Sequence, residues 1–71
     1  MAMQSKKVIS YWDFYDSSTG ELLEKEREIK HTTWPSVGEL VTHVPGKPQA
    51  IVRNFRFRGR KDELPCYDVY I

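Results

Sequence analysis

Residues 53–61 combine aromatic and basic side chains in the way that nucleic-acid binding requires. The segment holds five Lys or Arg residues and no acidic one. Rings that stack on bases, beside cations that neutralise phosphates, are how single-strand binders hold nucleic acid. The candidate binding residues of this basic strip are Asn54, Arg56, Arg58, Arg60 and Lys61.

Strand geometry weakens that interpretation. Successive side chains of a strand point to opposite faces, so Phe55 and Phe57 face away from Arg56 and Arg58. We expect the two phenylalanines to turn inward. The arginines then form a stripe without a stacking platform, which is either a solvated face or a charged contact surface.

Trp34, which precedes Pro35 in a predicted loop, is the best single candidate for a protein contact. Exposed Trp, Tyr and Arg side chains dominate the energetics of protein interfaces. Nine aromatic residues are also many for a chain of 71. The alternative for Trp34 is a lid over the open end of the domain.

Residues for catalysis or metal binding are sparse. His31 and His43 have no cysteine or carboxylate at metal-ligand spacing. Cys66 lies in a predicted strand, where a free cysteine usually acts as a small hydrophobic residue. Asp13, between Trp12 and Phe14, is the one carboxylate whose pKa could be perturbed, although its more ordinary role is to face solvent or to bond to a neighbouring backbone group. We therefore expect that the protein is not an enzyme and that it binds no metal and no cofactor.

Length and composition predict one small domain. A chain of 71 residues has room for one core, and a single cysteine excludes an internal disulfide. Met1-Ala2-Met3 is typical of a cloning scar, so we expect a disordered segment 1–5 and a domain 6–71. The lone thiol and the absence of a long apolar run favour the cytoplasm and argue against membrane association.

Four segments carry clear strand signals. Residues 7–15 are rich in β-branched and aromatic residues with large groups on both faces, which is typical of a central strand. Residues 40–44, 49–58 and 64–71 are predicted strands, and the last must pair inside the sheet to bury its Val-Tyr-Ile end. Apart from Pro65, the glycines and prolines lie between these runs, as turns require.

Residues 21–31 are ambiguous. Ser18 and Glu21 have the spacing of a helix capping box, and Glu–Lys pairs follow at i,i+4. The apolar residues Leu22, Leu23 and Ile29 form no continuous helical stripe, however. As a strand, the segment has the charged character of an edge that resists aggregation. We predict a strand and keep a helix at 21–31 as the alternative.

The predicted fold is therefore all-β: a small five-stranded antiparallel barrel or curled sheet. Short strands with a turn every 8–12 residues are typical of such folds. With a helix at 21–31 packed on the sheet, the fold becomes β-rich α+β.

Two short motifs resemble known proteins. One is Asp16-x-x-Thr19-Gly20-Glu21 at a hairpin, and the other is residues 35–41, Pro-Ser-Val-Gly-Glu-Leu-Val, before a strand. The second resembles the strand entry of SH3-like small barrels. Together they are similar to short hypothetical proteins of phages and prophages. The resemblance implies a small β-barrel accessory protein that binds a host protein.

Two functions therefore stay open. The first is a non-catalytic protein-binding module, a phage-type accessory protein or inhibitor that docks on a host or cellular protein. The second is a small barrel that binds single-stranded nucleic acid through residues 53–61. An edge strand could also pair with a second copy to form a homodimer.

Overall fold

The computed structural model describes residues 7–71, which form six strands in two sheets. The predictions for residues 1–5 lie outside the described residues. A four-stranded sheet has the order β2-β1-β6-β5, and β3 pairs with β4 in a separate two-stranded sheet. The strands are β1 Ser10–Tyr15, β2 Leu22–Ile29, β3 Leu40–Val44, β4 Lys47–Ile51, β5 Asn54–Lys61 and β6 Leu64–Tyr70.

The first and last strands lie side by side at the centre of the larger sheet. β1 and β6 run parallel, with Tyr11 opposite Cys66 and Tyr15 opposite Tyr70. The predictions that β1 is central and that the C-terminus pairs inside the sheet are confirmed. Ile71, just after β6, is only 3% exposed.

The ambiguous segment forms strand β2, so the helix alternative at 21–31 is wrong. It follows β1 through the turn 16–20, where Gly20 takes a φ of +78° that suits glycine. β2 pairs antiparallel with β1 as a charged edge, as expected. The pairing is interrupted by a β-bulge, because Lys25 and Glu26 together oppose Asp13.

The hairpin β3–β4 covers one face of the larger sheet. Its two strands are joined by Pro45 and Gly46, and Gly46 has a φ of +77°, the pattern of a type II turn. The hydrophobic core lies between the two sheets and contains Trp12, Phe14, Ile29, Val41, Val44, Val52, Val69 and Ile71. Large aromatic side chains from β1 supply much of the buried area that so short a chain needs.

The predicted strand 49–58 is wrong as a single element. The chain leaves the small sheet after Ile51 and enters the large one at Asn54. At this corner Val52 is fully buried, whereas Ile51 is 52% exposed. In an unbroken strand 49–58, Ile51 would share a face with Phe55 and Phe57, which were expected to turn inward, and Val52 would lie on the opposite face.

The predicted topology also needs correction. A five-stranded, wholly antiparallel sheet is wrong, because six strands form two sheets and β1 pairs parallel with β6. The strands of residues 7–71 form no closed barrel, since the four-stranded sheet ends at β2 and β5. The coarser prediction, a small all-β fold, is confirmed. Within residues 7–71 no helix of bilayer-spanning length and hydrophobicity exists.

Candidate functional site

The larger sheet has a second face, here called the outer face, on the side opposite the hairpin. The parallel register of β1 and β6 places Asp13 next to Asp68 on this face. Asp13 is only 2% exposed and Asp68 only 3%. Two neighbouring buried carboxylates are costly unless cations and hydrogen bonds compensate them.

Arg58 supplies most of that compensation. Its Nη1 lies 3.1 Å from Asp13 Oδ2, and its Nε lies 3.7 Å from Asp68 Oδ1. Partial burial works against protonation of Arg58, but Asp13 and Asp68 outweigh it and raise the guanidinium pKa above its usual value. Arg58 therefore bridges the two aspartates as a fixed cation.

A bulge in β5 brings Arg58 to this position. The register with β6 passes from Phe57 opposite Tyr67 directly to Gly59 opposite Cys66, so Arg58 is the extra residue. Gly59 has a φ of +142°, which an L side chain rarely adopts. A bulge commonly re-aims a side chain, and here it directs Arg58 across β6 toward β1.

Asp13 also accepts a hydrogen bond from the backbone of the bulge in β2. The backbone N–H of Glu26 donates to Asp13 Oδ1 at 2.8 Å. Glu26 has a φ of +52° and lies in the bulge, where an amide loses its ladder partner. Of the two ordinary roles expected for Asp13, exposure to solvent is wrong, since the residue is 2% exposed, and a bond to a backbone group is confirmed.

Two further basic residues of the strip also pair with carboxylates. Arg56 Nη2 lies 3.1 Å from Asp68 Oδ2, although the arginine side chain is 72% exposed. Lys61 Nζ lies 2.7 Å from Glu26 Oε1 and 5.1 Å from the centre of the Tyr11 ring. The hydrogen bond between Lys61 and Glu26 lowers the pKa of Glu26 and raises that of Lys61.

The basic strip is thus largely neutralised within the protein. Arg56, Arg58 and Lys61 each contact a carboxylate, and Arg60 donates to the carbonyl oxygen of Glu63 at 3.0 Å. Residues around Arg58 border a groove of about 230 Å³: Glu26, Arg58, Gly59, Arg60, Lys61 and Cys66. Because the cations already have partners, any phosphate that entered would compete with these ion pairs.

The phenylalanines of β5 differ from each other. Phe55 is half-buried and packs against the core, as expected. Phe57 is 55% exposed, so its predicted burial is wrong. The ring of Phe57 contacts Tyr67 edge-to-face with the centroids 5.6 Å apart.

Asn54 acts on its own strand. Its Oδ1 accepts the backbone N–H of Phe55 at 2.9 Å, at an exposed position. The side chain therefore takes the place of a main-chain acceptor beside β5.

Comparison with known protein families, curated proteins and solved structures finds no match.

A set of exposed apolar side chains lies on and beside the β3–β4 hairpin. Leu40 and Ile51 are cross-strand partners, 59% and 52% exposed. In the loop before β3, Trp34 is 60% and Val37 65% exposed. Trp34 is therefore not a lid, and its neighbour Pro35 is the residue buried there. We call Trp34, Val37, Leu40 and Ile51 the hairpin patch.

The remaining candidates for chemistry have structural contacts. His31 Nε2 lies 3.1 Å from Glu39 Oε2, and Cys66 is buried with its thiol 3.8 Å from the Leu64 carbonyl oxygen. Among residues 7–71, no three His, Cys, Asp or Glu side chains group as a metal site would require.

Sequence reasoning missed several of these residues. Asp68 went unnoticed because its pairing with Asp13 depends on the parallel contact between the two ends of the chain. Leu40 and Ile51 were taken as ordinary strand residues, and only the corner at Val52 reveals that they face outward. The local sequence carries no signal for either arrangement.

Proposed function

We propose that this protein is a non-catalytic protein-binding module that docks through the hairpin patch. The observation that carries the proposal is the exposure of Trp34, Val37, Leu40 and Ile51, each more than half uncovered. Patches of large apolar side chains on a small protein typically mark an interaction site.

The geometry of the hairpin supports this function. Leu40 and Ile51 stand opposite each other, and paired side chains on one face of a hairpin form a continuous contact surface. Trp34 adds an aromatic side chain of the kind that anchors interfaces. These exposed side chains add little to the core of the monomer, so their burial by a partner would contribute to binding instead.

We further propose a specific kind of binding module. The motifs at residues 16–21 and 35–41 resemble those of phage-encoded small barrels, which favours an accessory protein or inhibitor that docks on a host protein in the cytoplasm. The second motif includes Val37 and Leu40, so two of the four proposed docking side chains lie in the segment that carries this resemblance.

Single-stranded nucleic-acid binding is the second candidate function. The exposed ring of Phe57 favours it, because an uncovered aromatic side chain can stack on a base. The ion pairs of Arg56, Arg58 and Lys61 count against it, since the same cations would have to neutralise phosphates. Protein binding is therefore the better-supported function.

The test compares protein capture by the native chain and by the double variant Leu40→Thr/Ile51→Thr. Both substitutions are on the outward side of the hairpin, so the variant should keep its fold, which circular dichroism checks. Gln49→Ala, in the next outward pair of the same hairpin, is the matched control. We expect proteins that the native chain and Gln49→Ala capture from a cell lysate to be lost with the double variant. Identical capture by all three chains would contradict the proposal.

A further inference from the structure

β5 is an edge strand with a regular register over its first half. Among residues 7–71 it pairs with β6 alone. From Asn54 opposite Tyr70 to Phe57 opposite Tyr67 the pairing is unbroken, and the bulge begins only at Arg58. An edge of this kind can pair with a further strand through its main chain.

The backbone of β5 shows where that strand would bond. The N–H of Phe55 donates to the side chain of Asn54 at an exposed position. In antiparallel pairing, successive residues direct their main-chain groups to opposite sides, so the N–H of Phe57 faces the same way as that of Phe55, two residues earlier. An added strand would replace Asn54 as the acceptor for Phe55.

The side chains beside this edge define two rows with different chemistry. Phe57 is 55% exposed and contacts Tyr67 on its β6 side. On the opposite face, Arg56 is 72% exposed and holds Asp68 through a single nitrogen, leaving its other donors open. An incoming strand would meet an apolar row on one face and a basic row on the other.

Charge selects among the possible occupants. β5 carries four basic residues and no acidic one. A second β5 would place like charges opposite each other, which is unfavourable. A strand with acidic side chains in the arginine row has the complementary charge.

We propose that the β5 edge binds an extended protein segment in which acidic and apolar residues alternate. The acidic side chains lie beside Arg56, and the apolar ones lie beside Phe55 and Phe57. Arg58 takes no part, because the bulge directs it across β6 toward Asp13. This inference rests on the proposed protein-binding function and assigns it a second contact and a partner chemistry.

The test uses synthetic peptides of the length of β5 and the full native chain. One peptide alternates Glu and Val, a second has the same composition with all Glu before all Val, and a third alternates Lys and Val. We expect the first to bind most tightly and to slow hydrogen exchange at the amides of Phe55 and Phe57. Equal binding of the first two peptides, or tighter binding of the third, would overturn the inference.

Variants of the protein assign the two rows. Arg56→Gln combined with Phe57→Thr should weaken binding of the Glu-Val peptide about tenfold, since both cross-strand rows lose a partner. Lys25→Gln, on the opposite edge strand, is the matched control and should leave the affinity unchanged. An unchanged affinity in the double variant would contradict the assignment.

The outcomes separate this inference from the proposed function. If the peptides do not bind but the hairpin-patch variant loses its captured proteins, the edge inference is wrong and protein binding stands. If Phe55 and Phe57 are already protected from exchange without peptide, a second copy or another segment of the chain occupies the edge, and the inference is again wrong.

Discussion

The guanidinium of Arg58 lies 3.1 Å from the carboxylate of Asp13, although β6 separates their two strands. Arg58 thereby ties the edge strand β5 to the central strand β1. Both ends of this contact depend on bulges, since one bulge aims Arg58 and the amide of the other bonds to Asp13. The interaction stabilises the irregular parts of the sheet together.

The first prediction concerns this ion pair. Arg58→Met should lower the free energy of unfolding by about 2 kcal/mol, because Asp13 and Asp68 would remain buried without their shared cation. Loss of a fully buried partner typically costs about 3–5 kcal/mol, and we expect less because the Arg58 side chain is 35% exposed. Urea denaturation measures the change.

Arg53→Met is the control for that experiment. Arg53 is exposed just before β5, and its substitution should change the stability by less than about 0.5 kcal/mol. Equal losses in the two variants would mean that Arg58 has no special role.

The second prediction tests the corner between the sheets. Val52→Ala should destabilise the protein by about 2 kcal/mol, because Val52 is fully buried between the two sheets. Ile51→Ala should cost no more than about 0.5 kcal/mol, since that side chain is half exposed. A larger loss of stability for Ile51→Ala than for Val52→Ala would indicate that Ile51 is the buried residue, as in an unbroken strand 49–58. That result would contradict the observed corner.

The third prediction concerns acid stability. Hydrogen bonds from the side chain and the backbone N–H of Ser18, with a smaller effect of Lys47, lower the pKa of Asp16 from its usual 3.8 to about 2. The pKa of Asp16 is lower in the folded state than in the unfolded chain. Ionised Asp16 therefore stabilises the fold at pH values above its usual pKa, and this contribution is lost as the pH falls toward about 2.

Asp16→Asn should therefore lower the melting temperature near neutral pH and have little effect close to pH 2. Ser18→Ala removes the hydroxyl donor to Asp16. This variant should therefore also lower the melting temperature near neutral pH and have little effect close to pH 2. Melting curves recorded across this pH range provide the measurement. A melting-temperature difference between Asp16→Asn and the native chain that does not change with pH would contradict the assignment.

Local pattern was enough to predict much of the fold. The aromatic and β-branched run that contains Trp12 and Phe14 could only be a buried strand, and the apolar end of the chain required pairing inside the sheet. The charged alternation of β2 indicated an edge. Each of these features depends on the side chains of one segment.

Features that depend on distant contacts could not be predicted. The parallel pairing of β1 with β6 joins the two ends of the chain, and nothing local to Asp13 or Asp68 indicates it. The bulges at Glu26 and Arg58 interrupt the two-residue period on which strand patterns rely. The corner at Val52 reverses the apparent core face, because the chain changes sheets there.

The candidate site was predicted only in part, because some of its features are local and others depend on distant contacts. For Trp34 the sequence left a protein contact and a lid open, and the exposure of its side chain excludes the lid. The basic strip was identified as a set of charges, but its carboxylate partners come from three other strands. Whether a cation is free or paired depends on those long-range neighbours.

The central physical claim is that Arg56, Arg58 and Lys61 hold carboxylates of the protein itself, so that the basic strip is not a site for the phosphates of nucleic acid. The most direct measurement is titration of the native chain with a labelled single-stranded oligonucleotide over a range of salt concentrations. We predict no appreciable binding even at low salt, because Arg56, Arg58 and Lys61 already hold carboxylates. Tight binding that falls steeply with salt, and that Arg56→Gln abolishes, would contradict the claim.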